Sequence, residues 1–90
     1  MAYADVLIEA PEVGLTKDAA AEELYRIGLI YSTGMGVAAD YVAAHKWFNL
    51  AALKGSTEAK VCRQEMVEYM TKSELKQALR SAREWMQKAH

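Results

Sequence analysis

The sequence predicts an all-α domain built around an antiparallel pair of helices. Apolar side chains recur three and four residues apart along most of the chain, which is the spacing of an amphipathic helix. Glycines fall where those patterns stop, and small residues recur where two helices would touch. Four helices joined by short turns result, so we expect sequential neighbours to be antiparallel.

Ninety residues are enough for one small domain with a modest core. We expect residues 1–17 to form an irregular N-terminal arm, because Pro11 and Gly14 interrupt any longer element there. Residues 18–90 then form a single all-α domain, with a helical hairpin over 18–55 and two closing helices over 56–90. The arm either lays apolar side chains such as Val6 and Ile8 over its own helices or is exchanged with a partner chain.

The first helix is predicted to begin after a cap at Thr16 or Asp18, whose side-chain oxygens can accept a first-turn amide hydrogen, and to end near Thr33. Gly28 lies inside this helix, where glycine costs roughly 1 kcal/mol relative to alanine, so it indicates a close approach by another backbone. Gly34 follows the helix, as glycine does at a helix end. The predicted buried face consists of Ala21, Leu24, Ile27, Gly28 and Tyr31.

The second helix is predicted to be capped by Asp40 and to run to about Lys54. Small and aromatic residues share one face of it, and an alanine opposite an aromatic ring lets two helices interlock at short distance. That face is predicted to be core rather than a ligand site, and it consists of Tyr41, Ala44, Trp47, Phe48, Ala51 and Ala52.

The third helix is predicted to start at Ser56 or Thr57, and the fourth at Thr71, which forms a capping-box pattern with Glu74. The inner face of the third helix is predicted to contain Ala59, Cys62, Met66 and Met70. The buried face of the fourth is predicted to contain Leu75, Ala78, Leu79, Ala82, Trp85, Met86 and Ala89.

The net charge of −1 conceals an uneven distribution. Residues 1–40 carry seven acidic and two basic side chains, whereas residues 72–90 carry five basic and two acidic ones. The last helix aligns four basic residues on one face, namely Lys72, Lys76, Arg80 and Arg83. This basic strip is either a solvated face or a docking strip for an acidic partner. An alternative function, regulation by binding nucleic acid or an anionic membrane, would use the same strip, although the overall charge gives no reason to expect either partner.

Catalytic and metal-binding patterns are missing from the sequence. His45 is predicted to lie at the edge of the second helix and His90 is the last residue of the sequence, and neither has a histidine or cysteine at ligand spacing. Cys62 lies on a predicted inner face without a base beside it. We therefore predict no metal, no cofactor and no enzymatic activity. Residues 1–5 lack the basic region of a secretory signal, so the expected location is the cytoplasm.

The spacing of small and aromatic residues resembles the Sel-one-like repeat, the relative of the tetratricopeptide repeat, in its small bacterial single-repeat type. The residues that carry the resemblance are Ala21, Leu24, Gly28, Tyr31, Gly34, Gly36, Val37, Asp40, Ala44, Trp47, Ala51, Ala52, Gly55 and Ala59. The resemblance covers one hairpin, and the residues after it look like the closing helices at the end of such proteins. It implies a fragment of a right-handed α/α superhelix that serves as a non-catalytic protein-interaction scaffold.

A hairpin of this kind would present one side of its first helix as a concave groove. The partner-binding residues predicted there are Glu22, Tyr25, Leu29, Ser32 and Thr33. Tyr25 and Leu29 lie four apart and outside the core face, so they form an apolar patch with a polar border. We expect this groove to bind a protein segment or another copy of the chain, which would make a homo-oligomer. The competing interpretation is that the arm around Val6 covers the patch.

Overall fold

The computed structural model describes residues 10–88, which form four α-helices and contain no strand. The all-α prediction is therefore confirmed over this part of the chain. None of the helices within residues 10–88 is long and apolar enough to cross a bilayer. The helices are α1 (Ala21–Thr33), α2 (Tyr41–Leu53), α3 (Thr57–Val67) and α4 (Lys72–Lys88).

Helix α2 is the centre of the fold, because α1, α3 and α4 all pack against it. It also supplies most of the fully buried large side chains, among them Trp47, Phe48 and Leu50. Burial of such side chains is the main favourable term in folding, so α2 holds the other three helices together. The core consists of Ala19, Leu24, Ile27, Ala44, Trp47, Phe48, Leu50, Ala51, Ala59 and Ala82.

The pairing of α1 with α2 follows the predicted small-to-aromatic pattern. Gly28 of α1 faces the ring of Phe48, and a Cβ atom at Gly28 would lie 2.5 Å from that ring. Ala44 is fully buried. The end of α2 meets the start of α1, since the Lys54 ammonium donates to the carbonyl oxygen of Ala19 at 2.8 Å. The two helices are thus antiparallel and in close contact, as predicted, but the group that approaches Gly28 is the Phe48 side chain and not the backbone that was expected.

Three predicted helix starts are confirmed by their cap hydrogen bonds. The Asp40 carboxylate accepts the Ala43 amide hydrogen at 3.0 Å, and Ser56 Oγ caps α3 in the same way. At α4, the Thr71 amide donates to Glu74 Oε1 while the Glu74 amide donates to Thr71 Oγ1. The reciprocal pair is a complete capping box.

The predicted start of α1 was wrong, because neither Thr16 nor Asp18 caps it. Thr16 Oγ1 instead accepts the Asp18 amide hydrogen at 3.3 Å, and the Thr16 carbonyl oxygen accepts the Ala19 amide hydrogen. Both oxygens of Thr16 therefore stabilise a local turn before the helix. The cap position is Ala20, whose amide donates to Glu23 Oε1 at 3.1 Å. Alanine has no side-chain oxygen, so only the glutamate half of a capping box forms.

The described part of the N-terminal arm, residues 10–17, is held to the helices at two points. The Tyr31 hydroxyl donates to Glu12 Oε1 at 2.8 Å, and Leu15 packs against the core. Between these points the chain makes backbone turns instead of a helix. Val6 and Ile8, which carry the two alternatives for the arm, lie outside the described residues, so both alternatives stay open.

Helix α4 differs from the prediction in what it contacts. It packs on α2, where Trp85 meets Trp47 edge-on at a centroid distance of 5.2 Å, and has few close contacts with α3. Because only one side of α4 is covered, Leu79 and Met86 remain 40% and 41% exposed. Their assignment to the buried face was wrong, whereas Ala78 and Ala82 are buried as predicted; Ala89 lies outside the described residues.

The open side of the fold also exposes part of α2. Tyr41, assigned to the core face, is 41% exposed and stacks on Tyr69 at the end of α3 with ring centroids 5.3 Å apart. The prediction placed it in the core because it shares a face with Ala44, but it is the first residue of the helix and remains partly exposed there. Two tyrosines at a helix end instead shield each other in a partly solvated position.

Candidate functional site

A groove runs between the first turn of α1 and the first turn of α3, and we call it the α1–α3 groove. Its volume is about 320 Å³, and it opens to solvent. Packing of both α1 and α3 on α2 places their N-terminal ends side by side, which creates the groove. Its lining residues are Ala21, Glu22, Tyr25, Ser56 and Glu58.

Tyr25 is the aromatic wall of the α1–α3 groove. It is half-buried, and its ring packs on Phe48 with centroids 5.9 Å apart and planes tilted by 42°. Burial raises the pKa of the Tyr25 hydroxyl, and the neighbouring Cys62 thiol and Glu58 carboxylate raise it further. The hydroxyl therefore stays protonated at neutral pH, so it can both donate and accept a hydrogen bond.

The mouth of the groove is acidic. Glu22 and Glu58 are both exposed and lie on opposite walls, and no lysine or arginine belongs to the lining. Each glutamate lies in the first turn of its helix, where the helix dipole favours a negative side chain. The groove therefore combines an aromatic surface with two solvent-exposed carboxylates, which a cation can approach.

The structure brings together only part of the predicted partner-binding set. Glu22 and Tyr25 line the groove, whereas Leu29 packs half-buried against the core. The hydroxyls of Ser32 and Thr33 both donate to the Leu29 carbonyl oxygen, at 3.1 and 2.7 Å, so they lie at the other end of α1.

Ser56 and Glu58 are groove residues that the sequence analysis missed. Periodicity along one helix shows which residues share a face, but it does not show which residues of a later helix will lie opposite them. The only available signal was the predicted start of α3 at Ser56, because a repeat architecture stacks equivalent helix ends side by side.

The basic strip on α4 is exposed along its whole length, at Lys72, Lys76, Arg80 and Arg83. The strip therefore remains free to meet an anionic partner, and it lies on a different helix from the α1–α3 groove.

His45 was misplaced by the sequence analysis, because it is 2% exposed and therefore buried. Among residues 10–88, its Nδ1 atom has no hydrogen-bond partner. Burial lowers the pKa of His45, and the nearby positive charge of Arg63 lowers it further. Packing of α3 against α2 buries this face, and that contact could not be deduced from the spacing within α2.

The geometry around the single cysteine does not suggest a nucleophile. Cys62 is half-buried, and burial raises the pKa of its thiol, so the reactive thiolate is disfavoured at neutral pH. Within residues 10–88, no three histidine, cysteine, aspartate or glutamate side chains are close enough to hold a metal ion.

Comparison with known proteins identifies the family. Neither the curated proteins nor the solved structures include a significant match. The family model of the Sel1 repeat matches residues 24–56, which comprise nearly all of the α1–α2 hairpin, and also residues 71–89, which comprise α4. The second match extends the resemblance beyond the single hairpin recognised in the sequence. Sel1 repeats generally mediate protein–protein interactions and are non-catalytic modules. Because the two matches together cover more than half of its residues, this chain belongs to the Sel1 repeat family.

Proposed function

We propose that this protein is a non-catalytic interaction module that binds a segment of another protein in the α1–α3 groove. The observation that carries the proposal is the half-exposed ring of Tyr25 between two exposed carboxylates on opposite walls. Aromatic side chains with a polar end are common anchors of protein interfaces, since one side chain supplies both contact area and a hydrogen bond.

The charges of the groove specify the partner's chemistry. Glu22 and Glu58 favour a segment with a lysine or arginine beside an apolar side chain, so that the cation meets the carboxylates while the apolar group covers Tyr25. An acidic segment would place like charges together, which costs several kcal/mol in an interface. A second copy of the chain is the alternative occupant, because its α4 presents exposed basic side chains.

Charge reversal in the groove tests the proposal. The protein is used to capture partners from its native cell, and the affinity of each purified partner is then measured by calorimetry. Glu58→Lys should weaken binding by about tenfold or more, the loss expected when a charged contact becomes repulsive. Glu68→Lys is the matched control, since Glu68 is exposed at the C-cap of the same helix and lies outside the groove. Equal affinity for both variants would mean that partners bind elsewhere.

The same experiment tests the alternative function of the basic strip. The function would be located on α4 if the original chain bound DNA or anionic vesicles at low salt, and if Arg80→Glu abolished that binding while Glu58→Lys did not. Partner binding that depends on Glu58 and ignores Arg80 supports the groove.

A further inference from the structure

A second groove lies between α2 and α4, on the side of α4 that neither α1 nor α3 covers. Its volume is about 360 Å³. We call it the α2–α4 groove, and its lining residues are Asn49, Leu53, Leu79, Ala82, Arg83 and Met86.

Three large apolar side chains surround this groove and are exposed in the folded chain. Leu53 is 69% exposed, and Leu79 and Met86 were assigned to the core by their spacing but are left uncovered. Single exposed apolar residues are common on protein surfaces, but several around one groove mark an interaction surface.

The charged groups around the α2–α4 groove are basic. Arg83 lines it, and Arg63 of α3 reaches its edge by donating to Asn49 Oδ1 at 2.7 Å. No carboxylate belongs to the lining. The groove therefore fits an apolar segment that carries negative charge.

The chain itself contains such a segment at residues 1–9, which lie outside the described residues. Tyr3, Val6, Leu7 and Ile8 are apolar, while Asp5 and Glu9 are acidic, and the segment has no lysine or arginine. Fully extended, nine residues span roughly 30 Å, which is long enough to cross the groove.

The anchoring of the arm points to a second copy as the source of that segment. Glu12 is tied to Tyr31 and lies near Lys46, which is also close to Glu84 of α4. Leu79 and Met86 follow one side of α4, and helical spacing places Glu84 on another. The arm is therefore anchored on the Lys46 and Glu84 side of the fold and not on the side that Leu79 and Met86 border, which favours a second copy as the source of the segment.

We propose that residues 1–9 of one copy bind in the α2–α4 groove of the next, so that chains associate head to tail. Each chain offers one segment and one groove, so the contact is heterologous and can add further copies. The acidic beginning and basic end of the sequence favour the same orientation.

Two variants with complementary defects test the proposal. A chain that starts at Ala10 retains the groove and lacks the segment, whereas Leu79→Glu with Met86→Glu retains the segment and repels it from the groove. Both replaced side chains are partly exposed, so the fold should survive, and circular dichroism checks this. Val61→Glu is the control, because Val61 is exposed but belongs to α3 and lies outside the groove.

Sedimentation velocity is run on each protein over a range of concentrations up to about 1 mM, which detects weak association. The original chain and Val61→Glu should form species that grow with concentration, while each defective variant stays monomeric. An equimolar mixture of the two defective variants should form a dimer and nothing larger, since only one intact segment–groove pair remains.

Three results would overturn the proposal: a monomeric original chain, undiminished association of the truncated chain, or a mixture that stays monomeric. A monomeric original chain whose truncation makes Leu79 and Met86 more accessible to solvent would show that the segment covers its own groove. None of these variants alters the α1–α3 groove, so the result is independent of partner binding there.

Discussion

Replacement of Gly28 by alanine should destabilise the protein, although alanine is the better helix former. An added Cβ would lie 2.5 Å from both Cδ1 and Cε1 of Phe48, which is far inside normal contact distance. The ring cannot swing away freely, because Phe48 is 1% exposed and Tyr25 packs on it. The methyl group therefore forces α1 away from α2 or distorts the ring.

The expected magnitude is the difference between two opposing effects. Alanine in place of glycine inside a helix gains about 1 kcal/mol. Overpacking a tight core costs about 1–3 kcal/mol, and a contact as short as the one at Gly28 belongs at the upper end of that range. The net loss in the free energy of unfolding is then about 2 kcal/mol, which lowers the melting temperature of a domain of this size by roughly 10 °C.

Urea and thermal unfolding followed by circular dichroism measure this loss directly. The matched test repeats Gly28→Ala in a Phe48→Leu background, where the smaller side chain leaves room for the methyl group. There the substitution should be nearly neutral or stabilising, so the two changes should be strongly non-additive. If Gly28→Ala alone raised the free energy of unfolding, the proposed close contact between α1 and α2 would be refuted.

Three further predictions concern the caps, the buried histidine and the arm. Asp40→Ala should lower the free energy of unfolding by about 1 kcal/mol in urea titrations because it removes the α2 cap, whereas Asp18→Ala, which caps nothing, should have little effect. The pKa of His45 is lowered in the folded chain, so near pH 6.5 the unfolded chain binds a proton more readily, and the free energy of unfolding should fall as the pH drops through that value. His45→Leu should reduce this pH dependence. An unchanged pH profile in that variant would contradict the prediction. Burial and the hydrogen bond to Glu12 raise the pKa of Tyr31 to about 12, so ultraviolet titration should show a tyrosine that ionises near that pH and that Tyr31→Phe removes.

Local features of the candidate site were predictable, and its opposite wall was not. Tyr25 and Glu22 could be assigned to one side of α1 because residues three apart share a helix face. Glu58 could not be paired with them, since its position depends on how α3 packs against α2. The same limit explains Leu29, whose spacing fits the groove but whose side chain packs against the core.

The sequence by itself determined the four helices, the caps at Asp40, Ser56 and Thr71, and the tight fit of Gly28 against the second helix. These features depend on hydrogen bonds and spacings within a few residues, or on one glycine that would otherwise be costly. Only the tertiary structure decided that α4 packs on α2 more than on α3, that His45 is buried, and that the α1–α3 and α2–α4 grooves remain open. Those outcomes depend on which apolar faces meet across distant parts of the chain. Periodicity in the sequence shows how wide the apolar face of a helix is, but it does not show which other helix that face contacts.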